Sequence, residues 1–247
     1  MQMLLLLPPS ESKRPGGSGA PLDVASLAFN ALVPPRERAL DALVALSADP
    51  HEMARVLKLT PRQAEDVDHN RTVRTAPTMP AVDRFTGVLY DALDATSLDE
   101  HARAWLGAHV VIQTALLGPV SALDQIPAFR LSASNRLPGL SPMKRHWPEE
   151  TERALAGRAG LVLDLRSEAY RALGPVPGST YVRVVAESDD GAVRALNHFN
   201  KKTKGLFVRA LAASRPEIDT VAELERWGDG AGFALERSGD ELRLFAE

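Results

Sequence analysis

Three short boxes in this sequence hold residue types that do chemistry together. Ser10-Glu11-Ser12-Lys13 places a serine three residues before a lysine. Ser132-Ala133-Ser134-Asn135 and Lys202-Thr203-Lys204-Gly205 follow, in the order of the boxes of a penicillin-recognising serine hydrolase. That chemistry needs the serine and lysine one turn apart on a helix. Here Pro8-Pro9 precede the pair and Pro15-Gly16-Gly17 follow it, so no stable helix fits and the hydrolase reading is rejected. Gly16-Gly17-Ser18-Gly19 invites a phosphate-loop reading, but no Gly-Lys-Ser/Thr triplet occurs, so a Walker loop is rejected too. What remains is a corner: the apolar run Leu4-Leu5-Leu6-Leu7 is cut off by two prolines and hands over Ser10, Ser12, Lys13 and Arg14. Polar groups at the carboxyl end of a buried strand are a common way for α/β proteins to build a binding site.

A second candidate is the run from His198 to Arg209, with Lys201, Lys202, Lys204 and Arg209 at the start of an expected helix. Cations at a helix N-terminus are locally unfavourable unless an anion joins them, since the N-terminus and lysine both favour phosphate oxygens. The plain alternative is a solvated basic face, interrupted here by Gly205 and Phe207. Arg130, Arg136 and Lys144 lie in another polar, basic stretch, where Trp147 is either a stacking platform for a base or a core tryptophan. Leu116 to Leu123, with Gly118 in the turn, is faintly similar to a helix-hairpin-helix loop, but it has only one glycine, and a plain turn leaving a buried strand explains it better. Glu168 is either a general base or a residue of a helix start.

The elements that must position these residues are read from pattern. Residues 3–7, 109–116 and 161–165 read as buried strands, and 129–133 as a short one. Residues 35–47, 51–59, 84–93 and 98–106 read as helices, the last capped by Ser97, and Thr60-Pro61 opens another helix to Arg71. Residues 142–158 read as a helix kinked or restarted at Pro148. Ser188-Asp189-Asp190-Gly191 is a hairpin signal joining 180–187 to 192–198. A basic helix runs from Asn200 to about Ala213, another from Thr220 to Trp227 with Gly228 as its cap, and a hairpin around Ser238-Gly239-Asp240 closes the chain. Interleaved strands and helices with two hairpins predict a mixed α/β (α+β) fold, a central mixed sheet surrounded by helices, in one domain over residues 1–247.

Composition narrows the classes. The 247 residues are 45% hydrophobic and 25% charged, the profile of a globular protein able to bury a sizeable core. With no cysteine there are no disulfides or thiolate sites, and the six histidines are scattered, so no metal or other cofactor is expected. No apolar run approaches a membrane span or a signal peptide, so a cytoplasmic protein without a membrane partner is expected. Net charge is −3, but ten of the 29 basic residues fall in two acid-free windows, which leaves 19 basic against 32 acidic residues elsewhere. Such segregation can attract a polyanion to an acidic protein.

The order of these pieces resembles the peroxide-stress protein YaaA family along the whole chain. The resemblance rests on the N-terminal strand with its Pro8–Lys13 corner, Phe85-Thr86-Gly87-Val88-Leu89-Tyr90, and Leu116 to Leu123 with Arg130-Leu131. The Trp147 segment, Leu163-Asp164-Leu165-Arg166-Ser167-Glu168-Ala169-Tyr170 and Lys201-Lys202-Thr203-Lys204-Gly205 complete it. It implies a positively charged cleft, a helix-hairpin-helix-like element, binding of double-stranded DNA and a role against oxidative DNA damage. The matching positions are Lys13, Gly118, Lys201, Lys202 and Lys204; Pro119 stands where the hairpin would have a second glycine. Two functions from different classes follow. One is a cytoplasmic DNA-binding protein of the peroxide stress response with little sequence specificity. The other is an enzyme acting on a nucleotide or other phosphorylated small molecule in the same cleft, with catalysis left open.

Overall fold

Four leucines in a row fit a strand buried on both faces, and β1 (Leu4–Leu7) lies in the interior of the main sheet with all four buried. The fold is given by a computed structural model that describes residues 3–60, 63, 65–157, 160–187, 193–195 and 199–246. After β1 come β2 (Gly19–Pro21), α1 (Val33–Ser47), α2 (Pro50–Leu57) and α3 (Glu65–Arg71). Next are β3 (Pro77–Pro80), α4 (Ala81–Arg84), α5 (Val88–Leu93), α6 (Glu100–His109), β4 (Val110–Thr114), β5 (Gly118–Ser121) and β6 (Gln125–Ile126). The last part holds α7 (Met143–His146), α8 (Pro148–Leu155), β7 (Val162–Asp164), α9 (Glu168–Arg171), β8 (Thr180–Glu187) and β9 (Val193–Ala195). It closes with α10 (Phe199–Ser214), α11 (Val221–Ala231), β10 (Leu235–Ser238) and β11 (Glu241–Phe245).

The fold is mixed α/β, with a central sheet flanked by helices. Its strand order is β10-β11-β8-β7-β1-β4-β5, with β9 pairing β8 off this path. The five inner strands run parallel, and antiparallel β10 and β5 close the edges. A small sheet β2-β3-β6 lies apart. Side chains of β1 alternate: Met3, Leu5 and Leu7 enter the large core with α1 and α10, while Leu4 and Leu6 pack with Val111, Leu155 and Val162 on the other face. Each buried leucine contributes about 1.5–3 kcal/mol, so this strand is a strong anchor for whatever its end carries.

Several boundaries differ from the sequence reading, each for a local reason. Residues 84–93 are not one helix. Phe85 is extended and Gly87 has φ +92, a value that favours glycine, so α4 stops and α5 restarts. The break is occupied by the N-terminal corner: Lys13 bridges Phe85, Arg14 N–H donates to Arg84 O (2.8 Å), and Thr86 N–H donates to Ser12 O (3.2 Å). The cap of α6 is Asp99, not Ser97, because its carboxylate accepts the Ala102 N–H at 2.7 Å. Gly228 lies inside α11, whose left-handed cap is Gly232. Residues 129–133 form no strand. Residues 142–158 form two helices, α7 and α8, the second starting at Pro148. The helix expected from Thr60 is described from Glu65 on; Pro61, Arg62 and Ala64 lie outside the described residues, as do the 188–191 turn and His198. Among the described residues no helix is long and apolar enough to cross a membrane.

Candidate functional site

Parallel sheets bind ligands outside the carboxyl ends of strands, where neighbouring connections leave in opposite directions. That place lies between β1 and β7. From β1 the chain moves to β4 on one side; from β7 it moves to β8 on the other. Leu6 stands opposite Asp164, so the segments after Leu7 and after Asp164 leave the sheet side by side. β8 overhangs β7: Asp164 pairs Tyr181, while Val185, further along, pairs Ala195 of β9. The β8–β9 pair therefore rises beside the crevice.

Lys13 is the central cation of this corner. Its Nζ donates to Ser10 O and Glu11 O, each at 3.2 Å. It lies 4.6 Å from the Phe129 ring centroid and 5.3 Å from that of Phe85. Burial lowers its pKa to about 7, assisted by Arg130 and Arg84 and opposed by Asp66 and Glu11. Arg130 donates to the Glu11 carboxylate at 2.7 Å and approaches Asp66 at 3.9 Å. Asn70 fixes its backbone twice, through Arg130 N–H to Asn70 Oδ1 (2.7 Å) and Asn70 Nδ2 to Arg130 O (2.9 Å). Two tyrosines line the same place. Tyr90 Oη donates to Pro8 O at 2.8 Å, and burial raises its pKa well above normal. Tyr170 is pushed up to about 12 by burial, with Glu11 and Arg130 close enough to act on it. The Ser10 and Ser12 hydroxyls make no hydrogen bond to another described residue, and a Cβ on Gly87 would lie 3.4 Å from Ser10 Oγ.

From the other side, α10 delivers Lys204. Its side chain is buried, and Nζ donates to Leu165 O at 2.9 Å, just past β7. Burial lowers its pKa to about 8, with Asp164 opposing and Arg183 and Arg171 assisting. Beneath it Asp164 and Arg166 form a buried pair at 2.7 Å, and Arg171 reaches the same carboxylate at 3.4 Å. Lys13 and Lys204 thus come to one end of the sheet.

A family model described as peroxide stress protein YaaA matches residues 3–238. The chain belongs to the YaaA family. Relatives include the UPF0246 protein of Corynebacterium efficiens, 44% identical over 238 residues and covering 95% of both chains. The UPF0246 proteins of Corynebacterium glutamicum strain R (41%, 96% of each chain) and Streptomyces coelicolor (40%, 95% of this chain and 92% of that one) are similar over nearly the same span.

Gly118 is buried in β5, where its φ is +63 and a Cβ would lie 2.7 Å from the Trp147 ring. Its backbone is therefore at no surface, and the segment is a β-hairpin rather than a pair of helices. Trp147 is fully buried and donates Nε1–H to Ala115 O at 2.8 Å, so it is a core residue. Gly205 has a packing reason: a Cβ there would lie 2.2 Å from Leu89 O, so its absence lets α10 and α5 touch. Phe207 is core, in an aromatic cluster with Trp227 and Phe233. Arg209 donates to Leu93 O and Asp94 O, both at 2.9 Å. Lys202 and Arg209 line a groove of about 630 Å³ with Leu206, Phe233 and Phe245. Arg14 lines a pocket of about 250 Å³ that also holds Asp83, Asp91 and Asp94. Arg136, Lys144, Lys201 and Lys202 are exposed. Glu168 is exposed at the start of α9, behind Ser167 at the cap position. Tyr90 and Tyr170 each end a segment that carries the family resemblance, but their types and spacing alone assign them no role; their place in the fold does. Among the described residues no group of three or more histidine, aspartate and glutamate side chains could hold a metal.

Proposed function

We propose that this YaaA-family protein acts in the peroxide stress response by binding double-stranded DNA through its sugar-phosphate backbone, with little sequence specificity. One observation carries the reading. Arg136, Lys144, Arg145, Lys201 and Lys202 are exposed and have no acidic partner among the described residues, whereas Arg55, Arg71, Arg74, Arg103, Arg130, Arg153 and Arg183 are all paired with carboxylates. Unneutralised cations are the ones that release counterions when they meet phosphates. The crevice between β1 and β7, with Ser10, Ser12 and Lys13, receives the backbone itself. Lys204 and Arg209 hold carbonyls in place and support the site instead of contacting phosphate.

The test is affinity for a short random-sequence duplex measured from low to physiological salt. A log–log slope of about −4 or steeper is expected, and R136A/K144A/K201A/K202A together should flatten it by about 2–4. A slope near zero, or unchanged binding by the fourfold variant, refutes the proposal. Lys13, set between two aromatic rings, favours a second reading: an enzyme on a nucleotide or other phosphorylated small molecule. A thermal-shift screen against such compounds tests it, and no stabilisation by any of them counts against it.

A further inference from the structure

A lysine that only holds phosphate is best left exposed and cationic. Lys13 is not placed that way. It is partly buried at the strand end, between the Phe85 and Phe129 rings, with the Arg130 guanidinium alongside. Loss of water around the amine and the neighbouring Arg130 cation favour the neutral amine, which is the nucleophilic form, and outweigh the pull of the two ring faces toward the ammonium. The groups that act on the amine are Arg130 and Arg84, which favour neutrality, and Asp66 and Glu11, which oppose it. A neutral amine has two N–H donors and one lone pair. Two carbonyls, Ser10 O and Glu11 O, stand at 3.2 Å to take the two donors, which leaves the lone pair free. The amine also belongs to the segment that leaves the carboxyl end of β1, where an α/β sheet presents its ligand, and that segment carries Ser10 and Ser12, whose hydroxyls make no hydrogen bond to another described residue.

We propose that Lys13 is a catalytic nucleophile that forms an imine with an aldehyde carried by a phosphorylated sugar. The inference rests on the phosphate-binding reading above and names the group within the crevice that reacts. Nζ attacks the aldehyde carbon and the C=O π bond breaks to give a carbinolamine. The C–O bond then breaks and C=N forms. The oxygen leaves as water with the two protons that Nζ loses, so no oxidant or reductant is consumed. The same aldehyde chemistry has two sources: the open-chain deoxyribose of an abasic site in duplex DNA, and a free sugar phosphate.

The experiment traps the imine with cyanoborohydride in the full-length protein. Three probes are used: a duplex with one abasic site, the same duplex with a tetrahydrofuran analogue that lacks the aldehyde, and deoxyribose 5-phosphate. The readouts are a covalent adduct by intact mass and its position by peptide mapping. An adduct on Lys13 from the abasic duplex, the sugar phosphate or both is expected, and none from the analogue. The reacting probe identifies the source. Lys13→Arg, which keeps length and charge, and Lys13→Met should each lose at least 90% of the adduct. Trapping should fall about tenfold from pH 6 to pH 5 as the amine is protonated. Absence of adduct with both aldehyde probes, or an adduct mapped to another amine in the wild-type chain, overturns the proposal whatever the variants do. Gel-shift binding of the analogue duplex is measured in parallel. Binding without trapping overturns the imine and leaves the DNA reading standing; trapping of the sugar phosphate without duplex binding does the reverse.

Discussion

Removing the Lys13 amine should change how stability depends on pH, in a direction that the site fixes. Folding takes this group from its ordinary pKa of 10.5 to about 7, first through burial and then through Arg130. Between those two values the unfolded chain binds a proton that the folded chain has released. The unfolded state binds more protons, so stability rises with pH across the window from about 7 to about 10.5. At about 1.36 kcal/mol per unit, the protonated amine would cost the fold about 5 kcal/mol at pH 6. The side chain keeps some solvent exposure, and screening reduces this to about 2–3 kcal/mol. Lys13→Met has no such group. Urea denaturation of both proteins at pH 6, 7, 8, 9 and 10 gives the difference in stability at each pH, in which all other titrations cancel. The wild type should gain about 2–3 kcal/mol on the variant as pH rises from 7 to 10. A difference that stays flat within about 0.5 kcal/mol, or one that falls, would mean that the amine is ordinarily solvated, and the neutral nucleophile would lose its physical basis.

Three further outcomes follow from the packing. Gly205→Ala puts a Cβ 2.2 Å from Leu89 O, a backbone atom that can yield only if α5 moves, so it should cost about 1–3 kcal/mol despite alanine's better helix propensity. Thermal denaturation should show this as a drop of about 3–10 °C, and no drop would disprove the close contact. Gly118→Ala meets both the Trp147 ring and a positive φ, and should lose about 2–4 kcal/mol in urea denaturation. Arg166→Met leaves the buried Asp164 with only the backbone N–H of residue 166 (3.1 Å) and the longer Arg171 contact, and should cost about 3–5 kcal/mol; the D164N/R166M double variant should recover part of that loss in a double-mutant cycle, and strict additivity would refute the pairing.

Much of the architecture was legible because it follows from local rules. Four leucines ended by two prolines read as a doubly buried strand, and β1 is an interior strand of the main sheet. The basic helix, the Pro148 restart and the closing hairpin lie close to where pattern puts them. The misread boundaries share a cause. At residues 84–93 the apolar spacing is helical, but the competing partner is the 12–14 segment, which takes the Phe85 and Thr86 backbone. At Gly228 a glycine reads as a helix cap and at Gly205 as a gap in a basic face, whereas each is there because another segment comes too close for a Cβ. Charge counting likewise treats all lysines alike, although Lys204 is buried against Leu165 O and Lys202 is turned to solvent.

By itself the sequence determined which residue types meet at a strand end, because Pro8-Pro9 stop β1 wherever it is placed. It also determined that basic residues are segregated, because charge order is a property of the chain alone. Tertiary structure decided the environment of each. The amine of Lys13 is changed by Phe85, Phe129 and Arg130, which lie more than seventy residues away in sequence, and Lys204 reaches its carbonyl only because Gly205 lets α10 lie against α5. A side chain's reactivity depends on desolvation and on nearby charge, and both are set by distances that no spacing along one chain encodes.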